Sequence, residues 1–210
     1  MTTAKRTFTR REPKQQRSQQ TVDCVLEAVQ LVVKRHATQA ITTNRIAEAA
    51  GVSVGSLYQY FPDKRAIFTA LHDRHVEDVR QVIGQTTAAY ASAPLQEFTR
   101  ELVRGLVNVH ADTGELHEIV SSAVPEGALG FRNALHHTFG RVLSRADQKR
   151  YSLDETERML FVLPRMVESL VHGAAHQARA ALSRDGLRNE AIRTVLVYVN
   201  SFQDSAPGHY

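Results

Sequence analysis

Side chains able to hydrogen-bond to nucleic acid are concentrated in residues 42–64. Gln59 offers an amide that can both donate to and accept from an adenine edge, and Lys64 offers an ammonium for a phosphate. Val54 and Gly55 carry little side-chain bulk, so the backbone there can approach a DNA groove closely. The chemistry that these residues suit is non-covalent reading of duplex DNA, in which early helix residues meet base edges and flanking groups hold phosphates.

Two groups of residues are expected to contact DNA. The helix expected to enter the major groove, with the start of the next helix, contributes Val54, Gly55, Ser56, Gln59, Tyr60 and Lys64. The start of the preceding helix, expected to touch the opposite backbone, contributes Thr42, Thr43, Asn44 and Arg45. Leu57 and Phe61 are interpreted as core residues, since a compact helical unit needs an apolar interior.

The order of caps and breakers predicts that these residues lie on short consecutive helices. Thr42 is a good N-cap for a first helix, and Gly51 stands where a C′ glycine ends one. Ser53 can cap a second helix over about residues 54–60. Two helices joined by a tight, glycine-containing turn form a helix-turn-helix, whose second helix lies in the major groove.

A third helix follows directly. Pro62 ends the helix before it, Asp63 caps the new one, and the apolar spacing carries it from Lys64 toward Tyr90. Further helices are predicted over about residues 18–36, 94–110, 115–123, 131–142, 155–182 and 187–202. Asp154 is the predicted cap of the helix over 155–182. Asp185 and Gly186 are predicted to separate that helix from the last one. Strand alternation is not convincing anywhere, so the predicted fold class is all-α.

Charge is distributed unevenly along the chain. Residues 1–65 hold 11 Lys/Arg against 5 Asp/Glu, a balance of +6, whereas the remaining residues hold 15 against 17, a balance of −2. This asymmetry is expected of a DNA-binding end attached to a body that does not bind DNA. Lys5, Arg6, Arg10 and Arg11 in the N-terminal tail could enter a minor groove, or could simply be solvated.

Other classes of protein are disfavoured by what the sequence lacks. An apolar run of about 18 residues is missing, so we expect no membrane span and a cytoplasmic protein. The single cysteine, Cys24, excludes an intramolecular disulfide framework. We find no phosphate-binding loop, dinucleotide turn or nucleophile elbow, so no enzyme activity and no cofactor are expected.

Residues 41–68, ITTNRIAEAAGVSVGSLYQYFPDKRAIF, resemble the TetR family of bacterial transcriptional repressors. The shared pattern is a threonine cap, then Ile-Ala, Ala-Gly-Val-Ser, Gly-Ser-Leu-Tyr and an aromatic residue before Phe. A lysine then opens the helix from Lys64, which is the fourth when the helix over 18–36 is counted as the first. Within this pattern Tyr58 and Tyr60 resemble the family's aromatic pair that donates hydroxyls to phosphates. Val54 departs from the pattern, because a basic residue is common there; an apolar contact to a thymine methyl could replace that contact.

The resemblance implies a homodimer that binds a palindromic double-stranded DNA operator and leaves it when a small-molecule effector binds. Composition and helix spacing predict a basic disordered tail (1–17), a helix-turn-helix domain (18–65) and a helical domain (66–210), to which the resemblance assigns effector binding and dimerisation. The candidate effector-lining residues are Phe98, His110, Phe131, Phe139 and Met166. The candidate dimer-interface residues, on a helix that is apolar on two sides, are Leu160, Val167, Val171, Ala174 and Ala178.

Three alternatives stay open at this point. The lining candidates could be ordinary core residues. The chain could be a metal-binding helical protein or an enzyme with an incidental basic end, since Glu168, His172 and His176 share one helical face with ligand spacing. It could also be a DNA-compacting protein without sequence preference, which selection of bound fragments would reveal.

Overall fold

The computed structural model describes residues 16–35, 41–111, 119, 127–145, 151–176 and 183–202. These residues form helices and turns and contain no strand, and the predicted all-α class is confirmed. The helices are α1 (Gln16–Arg35), α2 (Thr43–Ala49), α3 (Val54–Tyr60), α4 (Lys64–Ala89), α5 (Leu95–Ala111), α6 (Gly127–Leu143), α7 (Leu153–His176) and α8 (Arg184–Asn200). Residues 1–15 of the predicted tail, and all of the predicted helix over 115–123 except Ile119, lie outside the described part.

Two compact units divide the chain, and the division falls within α4. Unit 1 lies within residues 1–75 and 115–125, and unit 2 lies within residues 76–114 and 126–210. The domain boundaries predicted from the sequence stay predictions. Among the described helices, none combines the length and the hydropathy that a membrane span needs.

The core of unit 1 is built from α1 and the three helices that follow it. The valine-rich stripe of α1 is buried, because its apolar residues recur at helical spacing on one face. Helices α2 and α3 are short and bury few residues each, chiefly Ile46 and Ala47 on α2 and Leu57 on α3. Ile67 and Phe68 from the start of α4 complete the same cluster. Burial of this kind holds two short helices that would not be stable alone.

The predicted caps around α2 and α3 are confirmed. The Thr42 hydroxyl accepts a hydrogen bond from the Arg45 N–H at 3.3 Å, and the Ser53 hydroxyl accepts one from the Ser56 N–H at 3.0 Å. A carboxylate oxygen of Asp63 accepts from the Ala66 N–H at 2.8 Å, which caps α4. Gly51 has φ of +66°, the left-handed conformation that ends α2 at glycine.

Gly51→Ala is expected to lower the free energy of unfolding by about 1 kcal/mol, because a Cβ strains the left-handed backbone. Open space surrounds the position, since a Cβ there meets nothing within 4 Å, so the backbone alone causes the loss. Urea unfolding checks this result. Gly55→Ala is the matched control: Gly55 lies inside α3, where alanine is the better helix former and stability should rise instead. A Gly51→Ala midpoint equal to wild type would contradict the assigned turn.

The core of unit 2 draws on all five of its helices. It is formed by Val79 and Ile83 of α4 together with the apolar faces of α5, α6, α7 and α8. Helix α5 packs on α7 and α8, and α7 also packs on α6 and α8. Gly105 permits a close approach of α5 to α4, because a Cβ there would lie 2.8 Å from a methyl carbon of Val82. Pro164 lies inside α7, where it removes one helical hydrogen bond.

Two sequence predictions about helix ends in unit 2 are wrong. Ser152, not Asp154, caps α7: its hydroxyl accepts from the Glu155 N–H at 3.2 Å, while its own N–H donates to the Glu155 carboxylate at 2.7 Å. The Ser152 N–H, and after it the Ser152 hydroxyl at 2.9 Å, donate to the Glu155 carboxylate and lower the pKa of Glu155 below its ordinary 4.5. The stability that they contribute is therefore present above pH 4.5 and is lost as the pH falls through the lowered pKa.

The second error concerns Asp185 and Gly186. They do not separate two helices but lie in the first turn of α8, whose N-cap is Ser183. The Gly186 N–H donates to the Ser183 hydroxyl at 3.0 Å, so a serine cap starts the helix three residues earlier than predicted.

Candidate nucleic-acid interface

Helix α3 presents one face to solvent and buries the other. Leu57 on α3 and Phe61 directly after it are fully buried, which fixes the helix on unit 1. Val54 is 37% exposed and Tyr58 is 41% exposed, so both side chains are open to a partner. Exposed Gly55 and Gln59 lie on the same helix, while Ser56 and Tyr60 are half-buried. Every residue predicted to enter the groove is therefore accessible at least in part.

A hydrogen bond between two hydroxyls ties α3 to the start of α2. The Tyr58 and Thr43 oxygens lie 3.2 Å apart, with both groups near the surface. Because a hydroxyl both donates and accepts, Tyr58 can accept from Thr43 and still donate to a phosphate. The contact also fixes the phenol ring, so less side-chain entropy is lost when DNA binds. The sequence did not reveal this pairing.

The predicted second group lies at the N-terminal end of α2. Thr42 is exposed, but its hydroxyl oxygen accepts the helix-cap bond, so it can bind a phosphate only by donating its proton. Asn44 and Arg45 are exposed, and Thr43 is half-buried beside Tyr58. The start of α2 is thus joined by a direct contact to Tyr58 in the second half of α3, and both helices carry groups that can bind phosphates.

Lys64 is exposed at the first residue of α4, as predicted for a phosphate contact. Its ammonium lies 5.7 Å from the centre of the Phe68 ring, within range of a cation–π interaction. The backbone part of the prediction needs one correction. The Ala66 N–H is already taken by the Asp63 carboxylate, so a phosphate there has fewer free helix N–H groups to bind than expected.

The effector-lining candidates fall into two ring contacts and one separate residue. Phe98 and Phe139 are fully buried and meet edge to face, with ring centres 6.3 Å apart. His110 and Phe131 meet with ring centres 5.4 Å apart. Met166 is half-buried against the same core. Full burial of the first pair is also what plain packing predicts, so the lining role stays a prediction.

Residues that the sequence analysis named for two separate roles lie around the second ring pair, together with Arg132, which it did not name. The His172 ring of α7 lies 5.0 Å from the His110 ring and 5.5 Å from the Phe131 ring, centre to centre. Next to it, the Nε of Arg132 donates to the Glu168 carboxylate at 2.6 Å. We call His110, Phe131, Arg132, Glu168 and His172 the ring–ion cluster.

The metal hypothesis finds no support in the arrangement of Glu168 and His172. The Glu168 carboxylate is bound to Arg132. Within the described residues no three His, Cys, Asp or Glu side chains are placed to hold a metal ion. The third proposed ligand, His176, belongs to α7, but its side chain lies outside what the structure describes.

The dimer-interface candidates need a correction. Val167, Val171 and Ala174 are buried in the core of their own unit, so they leave no surface for a partner. Leu160 is half-buried against the same core, and Ala178 lies outside the described residues.

Large apolar side chains are exposed elsewhere on the same two helices. Leu153 at the start of α7 is 86% exposed, Phe161 further along α7 is 62% exposed, and Val197 on α8 is 60% exposed. The Tyr198 hydroxyl donates to the Arg158 carbonyl at 3.2 Å, which places this part of α8 beside that part of α7. We call Phe161 and Val197 the α7–α8 apolar patch.

Comparison with known proteins places the sequence match on the DNA-binding end. Residues 28–71 match the model of bacterial regulatory proteins of the tetR family. Nucleoid occlusion factor SlmA from Haemophilus ducreyi is 37% identical over 121 residues, which are 57% of this chain and 54% of that protein. SlmA from Glaesserella parasuis is 29% identical over 121 residues, which are 57% of this chain and 55% of that one. The chain thus spans about half the length of these curated relatives.

Solved structures show the same fold over most of the chain. The TetR-like regulator LfrR from Mycobacterium smegmatis, crystallised with proflavine, is 20% identical with a TM-score of 0.60, over 84% of this chain and 94% of that one. NalD from Pseudomonas aeruginosa, the secondary repressor of the MexAB-OprM multidrug efflux pump, is 18% identical with a TM-score of 0.60. That match covers 87% of this chain and 97% of NalD. At these identities the likeness concerns the fold.

Proposed function

We propose that the chain is a homodimeric, cytoplasmic transcriptional repressor of the TetR family, because residues 28–71 match that family's model and TetR-like regulators share its fold. It binds a palindromic operator and leaves it when a small molecule binds in unit 2. One observation carries the DNA-binding part: α3 exposes Val54 and Tyr58 while Leu57 holds it rigidly on its unit. A helix fixed in this way can enter a major groove without rearranging.

The exposed face of α3 supports a division of labour at the groove. Val54 meets a thymine methyl, Gly55 lets the backbone come close, and Gln59 pairs with an adenine edge. Tyr58 and Tyr60 donate to phosphates on one strand. The start of α2 reaches the other backbone, and the Thr43–Tyr58 contact keeps the two sets of groups in register.

Lys64→Ala is expected to weaken operator binding by about 3- to 10-fold, because one phosphate contact is lost, and to reduce the salt slope by about 0.9. Fluorescence anisotropy titrations at several salt concentrations measure both quantities. The matched control is Arg100→Ala on α5, an exposed cation of unit 2 whose loss changes the net charge equally. An unchanged salt slope for Lys64→Ala, or an equal change for Arg100→Ala, would remove Lys64 from the interface.

Dimerisation increases the number of base pairs that the protein reads. One helix-turn-helix reads few base pairs, whereas two related by a twofold axis read half-sites about 34–36 Å apart. The α7–α8 apolar patch supports a seam on these helices, since exposed side chains as large as Phe161 often mark a contact surface. Arg165, whose guanidinium lies 4.0 Å from the Phe161 ring centre, borders the patch and supplies a polar rim.

Effector control would act through unit 2. A molecule bound among the helices of the bundle shifts the population toward arrangements in which the two α3 helices no longer fit successive grooves. Phe98, His110, Phe131, Phe139 and Met166 are the proposed lining residues.

A second candidate function is favoured by the similarity to nucleoid occlusion factors over 121 residues. In that case the DNA-bound chain would act in nucleoid occlusion rather than at promoters. Both functions need the same DNA interface.

Sequencing of the fragments that the purified chain retains from its source genome distinguishes them. A promoter regulator should retain a few fragments, each upstream of a gene and sharing an inverted repeat. Sites scattered through the chromosome, without relation to promoters, would favour the second function. Retention without any shared sequence would contradict both and indicate non-specific compaction.

A further inference from the structure

The hydroxyls of Thr43 and Tyr58 are bonded to each other and to no other group among the described residues. Thr43 is the first residue of α2 and is half-buried, whereas Tyr58 is 41% exposed. The cap of α2 is made by Thr42, so the end of the helix does not need the Thr43 hydroxyl. Each residue alone is expected to bind a phosphate, but their contact makes the two hydroxyls depend on each other.

The number of protons in this pair limits what it can bind. Two hydroxyls carry two protons, and one of these protons lies in the bond between them. Only one proton is left for a phosphate oxygen of DNA, which accepts hydrogen bonds and donates none. The pair therefore holds one phosphate and not two, and the second hydroxyl acts through the first.

Exposure and chemistry indicate which hydroxyl meets the phosphate. Tyr58 is the more exposed of the two residues. A phenol O–H is a stronger donor than the O–H of an aliphatic alcohol, so the anion takes the phenolic proton. Thr43 then donates to the Tyr58 oxygen. Because Thr43 is β-branched, its hydroxyl has few orientations and holds the phenol in one position.

The length of the bond fits a contact that tightens in the complex. The two oxygens lie 3.2 Å apart, which is longer than the usual value of about 2.7–2.8 Å between hydroxyls. When a phenol donates to an anion, its oxygen becomes a better acceptor, because successive hydrogen bonds polarise each other. We therefore expect the bond from Thr43 to strengthen when Tyr58 engages DNA.

We propose that Thr43 is a positioning residue that donates to Tyr58, and that Tyr58 alone of the two donates to a phosphate of duplex DNA. The inference rests on the proposed function, because it assigns how one phosphate is held at the DNA interface. It replaces the direct phosphate contact predicted for Thr43, since the Thr43 proton is used within the pair. Thr43 thus adds to affinity only while Tyr58 keeps its hydroxyl.

A double-mutant cycle on operator affinity tests the proposal. Tyr58→Phe should weaken binding by about 10-fold or more, since a hydrogen bond to a charged group is lost. Thr43→Val keeps the shape but not the hydroxyl, and should weaken binding by about 3-fold or more. Added to Tyr58→Phe, Thr43→Val should cost nothing further, because it acts only through the Tyr58 hydroxyl. Anisotropy titration measures each affinity, with the inverted repeat that the wild type enriches from a random duplex library.

Three further variants complete the design, and a thermal melt checks that each protein is folded. Thr43→Ser keeps a donor and should restore most of the affinity that Thr43→Val loses. Thr43→Val with Lys64→Ala should lose the product of the two separate losses, because Lys64 holds a phosphate of its own. Thr87→Val, which changes another half-buried helical threonine but in unit 2, should bind as wild type does.

Losses from Thr43→Val and Tyr58→Phe that multiply would overturn the proposal, because Thr43 would then hold its own phosphate. Wild-type affinity in Thr43→Val, or an equal loss in Thr43→Ser, would also overturn it. A larger loss from Thr43→Val than from Tyr58→Phe would reverse the two roles and contradict it too. If the wild type binds no operator, the proposed function and this inference fall together, whereas the other outcomes count against this inference alone.

Discussion

Val54→Asp should abolish specific DNA binding while leaving the protein folded. Val54 is the first residue of α3 and is exposed, so the new carboxylate lies at the groove entrance. In the free protein it is tolerated, since an acidic side chain at a helix N-terminus is favourable by about 0.3–1 kcal/mol. In the complex it faces phosphates without a partner, at a cost of about 3 kcal/mol or more, which is a loss of about 100-fold.

Anisotropy titration with operator DNA and a thermal melt measure the two halves of this prediction. Leu31→Asp is the matched control, because Leu31 is also an exposed apolar residue of unit 1 but lies on α1, outside the proposed interface. It should bind DNA as wild type does. Near-normal affinity in Val54→Asp, or an equal loss in Leu31→Asp, would show that α3 does not enter the groove as assigned.

Phe161→Asp is expected to convert the dimer to a monomer and to lower operator affinity by about 100-fold. A twofold seam receives the substitution from both subunits, so two unpaired carboxylates enter it at once. The side chain is largely exposed within one chain, so the substitution removes little of that chain's own packing and the monomer should stay folded. Light scattering after size exclusion gives the mass, and the same anisotropy assay gives the affinity.

Leu153→Asp provides the comparison on the same helix. Leu153 is more exposed than Phe161 and is the first residue of α7, where a carboxylate suits the helix dipole. We expect it to remain dimeric. A Phe161→Asp protein that elutes as a dimer at micromolar concentration would contradict the seam on the α7–α8 apolar patch.

The helix-turn-helix could be predicted closely because its signals are local. A serine, threonine or aspartate cap accepts a hydrogen bond from an N–H two or three residues away. Thr42, Ser53 and Asp63 therefore predict the starts of their helices from the sequence alone. Gly51 is equally local, since its left-handed φ is a property of one residue. The capping box at Ser152 and Glu155 is local too, but Asp154 is also a good N-cap residue, so the sequence alone does not decide between the two caps.

The remaining features depend on contacts between distant residues. A helix that is apolar on two sides must have two neighbours, but the pattern does not say which side meets which neighbour. Val167 and Val171 therefore fit a seam by sequence, although they lie in the core. Phe161 stands out only once the packed surface is known. The Arg132–Glu168 pair joins α6 to α7 across 36 residues, a pairing that no local pattern specifies.

Selection of bound sequences from a random duplex library tests whether the chain reads an operator through α3. With the wild-type dimer, we expect enrichment of an inverted repeat whose half-site centres lie about 34–36 Å apart or at a multiple of that distance. We also expect that Val54→Asp enriches nothing. Uniform recovery of the library by the wild-type protein, or a repeat enriched equally by Val54→Asp, would contradict a regulator that reads its operator through α3.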